Sequence, residues 1–444
     1  MIEPKKASSL IDQVLSTIKA DGADVIVLSN LSGLTRFANS EIHQNVEDDD
    51  TTVLIRAAIG NRLGVTSTND ITKQGLKHAA REAADVARHS PENPGFAGLA
   101  SPSASAEFEP FAEDSAAFTV KRRAAQVAKM VRIAKRKTLN CAGYVSQSVG
   151  SVAFGNSKGV SRFSRLTQVG GQIIAYGPTS SGLAERSSHS REAIDFQDLA
   201  REAVQKAVKT ANPAPLEPGV YPVVLDAYAT ADCLAYMAYV GFNAKTFQEQ
   251  RSFLNGRMGE PVFSPLFHLS DDAYSTLNAG LPFDFEGVPR QRVSLVEAGV
   301  VKSLVHDSMT AAKDGQSSTG HALPPPNPYG PIPLNLVMRQ GESDLEALIA
   351  SVERGVFVTR FHYTNLVDPK NLIVTGMTRD GTFLIQNGKL KKGIRNFRFT
   401  QNLVDAFKEI SMVSNHIVCS GEWVKAAAPA VKIDHFNFDS ATEF

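Results

Sequence analysis

Apolar residues recur in two rhythms along the first 210 positions, and the changes of rhythm mark the elements. Leu10, Ile11, Val14, Leu15 and Ile18 return at helical spacing between polar residues, which predicts an amphipathic first helix within Met1–Ala20. Ala23–Leu28 (ADVIVL) reads as a buried strand, and Gly33–Asn45 as a further strand region turning at Asn39 and Ser40. Thr51–Ala58 and Arg62–Ser67 follow as strands around a turn at Gly60 and Asn61. Over Ile71–His89, Leu76, Ala79, Ala80, Ala83, Ala84, Val86 and Ala87 share one helical side, and Pro91, Pro94 and Gly95 end the pattern. Ser90–Pro110 is a loop by its Ser, Pro and Gly content. A second long helix is predicted from Ser115 to about Thr138, with Phe118, Val120, Ala124, Val127, Ala128, Val131 and Ala134 inward. Strands return over Ala142–Tyr176, and Asp195 caps a helix to Thr210 with Leu199, Ala203, Val204, Ala207 and Val208 inward.

Asn212–Gly219 (NPAPLEPG) cannot continue a helix or sit in a central strand, because its prolines lack N–H donors. A domain boundary is placed there, giving an N-terminal domain over 1–213 and a C-terminal domain over 220–444. The second half is richer in strands. Val293–Leu304 pairs around Glu297-Ala298-Gly299, and Thr382–Ile394 pairs around Asn387-Gly388, a dipeptide suited to a type I′ turn. Leu323–Leu334 is proline-rich and extended, and Asp344–Arg354 is a short helix. The expected class is α+β: an α/β N-terminal domain with helices packed on a sheet, then a β-rich C-terminal domain.

Composition narrows the function. Among 444 residues, 46 Lys plus Arg balance 46 Asp plus Glu, so no net field draws in nucleic acid or acidic lipid. Cys141, Cys233 and Cys419 form no CxxC pair, which fits a reducing compartment. With no signal-peptide apolar block and no run long enough to span a membrane, the expected location is cytoplasmic, with no membrane partner.

Several chemistries fail at the level of spacing. None of the ten histidines is followed by Glu and no two lie within five residues, so the helical zinc motif is absent. Gly155-Asn156-Ser157-Lys158-Gly159 has the letters of a nucleophile elbow but lies between two strands, where a hairpin turn is expected. No phosphate-loop or dinucleotide fingerprint occurs. Lys121, Arg122, Arg123, Lys129, Arg132, Lys135, Arg136 and Lys137 read as the solvated side of a helix, with no direct nucleic-acid contact expected. The acidic run Glu47–Asp50 reads as a loop opening into a strand. Two clusters hold denser functional types: Thr359–Asn365, where alternation puts Arg360 and His362 on one strand face beside Tyr363, and Gly376–Phe383, which contains Arg379. Arg360, His362, Tyr363 and Arg379 are the candidate peptide-binding residues, able to bind a peptide backbone or a carboxylate.

Taken together, RFANSEIHQN (Arg36–Asn45), NRLGVTSTND (Asn61–Asp70), FGNSKGV (Phe154–Val160), FDFEGVPRQR (Phe283–Arg292), VTRFHYTNLVDP (Val358–Pro369) and GMTRDGTFLIQNGKL (Gly376–Leu390) resemble the TldD/TldE family. The TldE branch of that family is also called PmbA and is linked by name to modulation of DNA gyrase. In the family, the TldD-type subunit looks like a zinc peptidase with an HExxxH helix and a distant Cys ligand, while the TldE-type subunit lacks the motif and pairs with it. Laying the helix after Val223-Val224-Leu225 on that motif puts Ala235, Tyr236 and Val240 where His, Glu and His would stand, with Cys419 near the Cys ligand. Methyl and isopropyl groups cannot ligate zinc, and a phenol is a poor general base near neutral pH.

The resemblance therefore implies a hydrolase-family chain with no catalytic or metal residues of its own, inactive by itself. It also implies dimers enclosing a peptide channel. Zinc is expected in a TldD-like partner subunit and no cofactor in this chain. The implied function is the non-catalytic subunit of a two-component metallopeptidase that acts on unfolded peptides and small flexible proteins. The alternative is a stand-alone homodimeric peptide-binding or regulatory protein.

Overall fold

The structure, a computed structural model, describes residues 1–421 and 424–442, so positions 422, 423, 443 and 444 of the expected second domain lie outside the described residues. Helix α1 (Pro4–Leu15) leads into β1 (Gly22–Ala38), β2 (Glu41–Ile59), β3 (Arg62–Thr68) and α2 (Lys73–His89). After a long loop come the one-turn α3 (Glu113–Ala116), α4 (Val120–Lys135), β4 (Asn140–Asn156), β5 (Ser161–Gly177), β6 (Ser180–Ser188) and α5 (Phe196–Lys209). The six strands form one antiparallel sheet in the order β3-β2-β1-β4-β5-β6.

Strand alternation divides the labour of this sheet. Odd-numbered residues of β1 face the helices: Val25 and Val27 pack with Leu10, Val14 and Ala80, and Phe37 packs with Val127 and Phe196. Even-numbered residues face the other way, where Ile26, Val152 and Phe154 bury Phe283 of the C-terminal half. The large helices of this half thus lie on one face, and the C-terminal half packs on the other and reaches round the β6 edge to α5.

That second domain adds β7 (Gly219–Leu225), α6 (Ala227–Val240), α7 (Ala244–Gln248), β8 (Leu269–Asp271), β9 (Val293–Glu297), β10 (Val300–Val301), α8 (Ser308–Lys313) and β11 (Asn335–Met338). It continues with α9 (Leu345–Ala350), β12 (Arg354–Asp368), β13 (Ile373–Gln386), β14 (Lys389–Gly393), β15 (Phe397–Asn402), α10 (Leu403–Lys408), β16 (Ile410–Ser420), β17 (Lys425–Phe438) and β18 (Ser440–Ala441). Its strands form one 12-stranded mixed sheet, with β7 between β12 and β17 at its centre. Val223 and Leu225 of β7 pack under α6, whereas Val224 points to the opposite face and packs with Leu348 and Ile349 of α9. Helices and extensive sheets share the chain, and the class is α+β. Both expected hairpin turns form: Ala298 and Gly299, and Asn387 and Gly388, all adopt positive φ. No helix among the described residues is long and apolar enough to cross a membrane.

The structure corrects several expectations. The two strand regions over 23–45 merge, because β4 pairs β1 without interruption from Asp24 to Phe37 and carries it through polar Ser29, Asn30 and Ser32. The acidic run Glu47–Asp50 is strand, not loop, paired along β1 at Asn30–Gly33. The expected second helix is broken at Ala117–Thr119. There Gln147 Nε2 donates to the Ser115 carbonyl (3.0 Å), and Ser115 Oγ donates to the His189 carbonyl (2.8 Å), fixing α3 apart from α4. Its buried stripe is Arg123, Val127, Met130 and Ala134, so Ala128 is exposed and Arg123 is not on the solvent face. The Arg123 guanidinium lies where any side chain at Gly33 would collide with it, and it donates to Gln147 Oε1 (3.1 Å), the Phe118 carbonyl (3.0 Å) and Glu47 Oε1 (3.1 Å). Val86 and Val208, expected inward, are exposed. The hairpin-turn reading of Gly155–Gly159 holds: Asn156 Oδ1 accepts from the Lys158 and Val160 N–H groups, and Ser157 Oγ accepts from the Ala23 N–H.

Candidate functional site

Helix α6 is apolar almost all round, so it is a core helix, and Asp226 caps it by accepting from the Ala227 N–H at 2.8 Å. Its half-exposed positions, Asp232, Tyr236 and Tyr239, are spaced four and three apart and share one face. Ala235 and Val240 flank that face and are buried. The face meets an irregularity of β12, where the register with β13 shifts between His362 and Asn365 and Tyr363 takes a φ of 49°. Such bulges re-aim side chains. Here Thr364 turns to the helix: its hydroxyl donates to Asp232 Oδ2 at 2.8 Å, and its carbonyl accepts from the Tyr236 hydroxyl. Tyr363, by contrast, is 71% exposed.

The donor set at 235, 236 and 240 does not fit a zinc ion. Two of the three side chains present only carbon, and the phenol of Tyr236 is committed to the Thr364 carbonyl. Cys419 lies on β16 opposite Ala427, with its sulfur 3.7 Å from Asn278 Oδ1. Burial pushes its thiol up to about 11, Lys425 offsets part of that, and Glu185 adds to it. A thiol held protonated is a weak ligand and a weak nucleophile.

Beyond the bulge, a groove of about 940 Å³ opens between the two domains. The β5–β6 turn (Pro178, Thr179) and the start of β6 (Ser180), the linker (Asn212, Pro213), β13, and the corner between β14 and β15 form its walls. The linker is held against that corner by the Ala214 N–H to the Gly393 carbonyl (2.9 Å) and the Arg395 N–H to the Ala214 carbonyl (3.0 Å). Of the four candidate residues, Tyr363 and Arg379 line the groove. Arg360 does not: its Nε donates to Asp380 Oδ2 at 2.7 Å, bracing the groove from behind. His362 sits on the same strand, its ring 4.3 Å from that of Tyr363. Gly381, with a φ of 127°, lies so close to Thr359 that any side chain there would collide with it. Sequence reasoning missed Arg395 and Asn396, which also line the groove. They belong to the β14–β15 corner, where nothing in the local pattern points to a site.

Three family models cover most of the chain: the PmbA/TldA metallopeptidase domain 1 at residues 23–87, the central domain at 100–211 and the C-terminal domain at 218–440. The chain belongs to the PmbA/TldD metallopeptidase family. It is similar to the metalloprotease PmbA homolog of Haemophilus influenzae, with 25% identity over 90% of this chain and 89% of that protein. Similarity to the TldD homolog of the same organism is 29% identity over 53% of this chain, and the chain spans about half, 52%, of that relative's length. Among solved structures, TldE from Thermococcus kodakarensis superposes with a TM-score of 0.89 at 21% identity, over 98% of this chain and 100% of that one. A putative modulator of DNA gyrase from Thermotoga maritima gives 0.85 at 20%, over 97% and 100%. At these identities the structural likeness speaks for the fold alone.

In this PmbA/TldD-family chain the groove's walls come from different domains, so its shape depends on how the domains are joined. Two polar clusters join them. In the first, Arg56 lies directly across from Asp24 on the docking face of the N-terminal sheet. Its Nε donates to Asp24 Oδ2 (2.7 Å) and its Nη1 to Glu286 Oε1 (3.2 Å) in the FDFEG segment. Asp284 accepts from the Glu286, Val288 and Ala322 N–H groups, each at 2.9 Å, while Asp307 caps α8 beside them. Burial raises Asp24, Asp284 and Asp307 alike, and the nearby Glu286 charge helps push Asp284 up to about 7. Among the described residues, Asp24 Oδ1 is buried with no hydrogen-bond partner.

The second cluster joins β6 and α5 to the start of α6. Glu202 is bridged to Arg186 (2.8 Å) and Lys206 (2.8 Å), Lys206 also reaches Asp226 (2.8 Å), and the Tyr228 hydroxyl donates to Glu202 at 2.9 Å. Burial opposes the Glu202 charge, yet Lys206 and Arg186 outweigh it and hold this carboxyl down at about 2.

Proposed function

We propose that this chain is a zinc-free, TldE/PmbA-like subunit that holds unfolded peptides and small flexible proteins in the cytoplasm while a TldD-like partner supplies zinc and hydrolysis. One observation carries the reading. The α6 face expected to bear HExxxH is filled by a methyl group, an isopropyl group and a committed phenol, while the neighbouring interdomain groove is open and lined by hydrogen-bonding side chains. At about 940 Å³ the groove sits at the upper end of ligand-pocket sizes and has room for a short extended segment. Ser180 and Ser181 of β6, the edge strand of the N-terminal sheet, line it, and a strand edge binds main chain with little regard to sequence.

The test is reconstitution. Hydrolysis of an unstructured polypeptide is followed with a TldD-type protein alone, with this chain alone, and with both, and zinc per chain is measured by elemental analysis. The expected result is cleavage that needs the TldD-type protein and is increased by this chain, which carries no zinc. Metal-dependent hydrolysis by this chain alone, with about one zinc bound, overturns the reading. If the chain binds peptide as a homodimer and leaves the TldD-type activity unchanged, it is instead a self-associated peptide-binding protein.

A further inference from the structure

We infer that the interdomain groove selects peptides carrying carboxylates, through Arg379 and Arg395; this deepens the peptide-holding reading above and rests on it. Three observations converge. First, Arg379 on β13 lies directly across from Arg360 on β12. Like charges in opposed sheet positions are destabilising. Only one of the two is neutralised: Arg360 is paired with the buried Asp380, so Arg379 keeps an exposed, uncompensated charge.

Second, Arg395 reaches the same groove from the β14–β15 corner, also exposed, and neither it nor Arg379 makes an ion pair or a side-chain hydrogen bond among the described residues. Third, among the described residues Asp380 is the sole acidic residue lining the groove, and its charge is already taken by Arg360. The remaining polar lining, including Thr179, Ser180 and Asn396, is neutral. Among the described residues the walls therefore carry two uncommitted guanidiniums and no free anion, in a concave site between low-dielectric domains where field lines concentrate. Guanidinium forks match carboxylates by two parallel hydrogen bonds. The exposed Tyr363 ring at the edge offers an apolar contact for the adjoining residue.

The experiment measures fluorescence anisotropy of dye-labelled, unstructured eight-residue peptides on the full chain. One peptide is rich in Asp and Glu, one is its Asn and Gln counterpart, and one is rich in Lys, each made with a free and an amidated C-terminus. The expected result is that the acidic peptide binds about tenfold tighter than its amide counterpart, the size of two partly exposed charge contacts. That preference should shrink as salt rises from 50 to 300 mM, and in the Arg379→Gln/Arg395→Gln double variant it should fall to within twofold. Both side chains are exposed, so an unchanged thermal midpoint confirms that the variant is folded. Amidation that leaves this preference unchanged assigns the recognised group to side-chain carboxylates, and amidation that weakens the acidic and amide peptides alike adds the chain end as a second recognised carboxylate. Equal binding of acidic and amide peptides, or discrimination that persists in the double variant, overturns the inference while leaving peptide holding intact. Failure of every peptide to bind overturns both.

Discussion

The two clusters that join the domains are built from the same residue types and have opposite electrostatic character. Around Glu202, two cations meet two carboxylates, and every charge has a partner within 2.8 Å. Around Arg56, one guanidinium faces Asp24 and Glu286, with Asp284 and Asp307 close behind and an orphaned oxygen on Asp24. A buried ion pair is stabilising only when attraction and hydrogen bonds repay desolvation. The balanced cluster meets that condition, and the acid-rich one meets it fully only when protons supply the missing positive charge. One joint is thus indifferent to pH near neutrality, and the other is tuned by it.

The comparison breaks most visibly at Arg56. Arg56→Met leaves Asp24 and Glu286 buried without a counter-charge, and the expected cost is about 3–5 kcal/mol in urea unfolding at pH 8, shrinking toward pH 5 as Asp24, which burial shifts upward, takes up its proton. A cost equal at both pH values would show that the cluster carries no excess negative charge.

The next effect is the pH profile of the unaltered protein. A carboxyl whose folded pKa lies above its unfolded value binds its proton more tightly in the fold, so its penalty is absent near pH 4, grows as pH rises, and is complete above the folded value. Asp284, at about 7, sets this window, with Asp24 and Asp307 shifted the same way. Stability is expected to fall by on the order of 3 kcal/mol between pH 5 and pH 8. A flat profile in urea melts over that range removes the distinction between the joints.

Glu202 works in the opposite sense. Its depressed pKa stabilises the fold above the ordinary carboxylate range, and the benefit is lost as pH falls from about 4.5 toward about 2. Glu202→Gln is expected to cost on the order of 2 kcal/mol at pH 7, allowing for partial solvent screening, and to flatten the acid limb of the profile. Unchanged acid sensitivity in that variant would assign the limb to other groups. The smallest effect provides the baseline: Arg251 pairs with Glu249 on the open surface, and Arg251→Gln should cost at most about 0.5 kcal/mol in the same melts. A loss comparable to that of Glu202→Gln would mean that burial is not what separates these pairs.

Much of the fold was legible because it rests on local rhythm. Asp195 caps α5 as its position before an apolar stripe foretold, and Asn387-Gly388 turns as its dihedral preference requires. What stayed hidden depends on partners distant in the chain. Polar Ser29, Asn30 and Ser32 look like a strand break, and only pairing to β2 and β4 on both sides reveals them as strand interior. Arg123 reads as solvated until Gly33, Gln147 and Glu47 surround it. At the site, Tyr363 and Arg379 were visible as a dense cluster, but Arg395 comes to them through the linker contact at Ala214. The one available hint of the acid-rich joint was Asp24, a charge inside the apolar run ADVIVL.

The outer edge of β2 has a further consequence. From Glu41 to Thr52 this strand pairs with β1 alone, since β3 joins only at Val53, so about a dozen residues present open backbone groups on one side among the described residues. Such an edge is a template for runaway strand addition between copies. Glu47 is drawn toward Arg123, but Asp48, Asp49 and Asp50 remain exposed along it. Two molecules meeting edge to edge in register would align acid against acid. The acidic run that breaks the apolar rhythm of this strand is thereby placed as insulation against strand addition between copies.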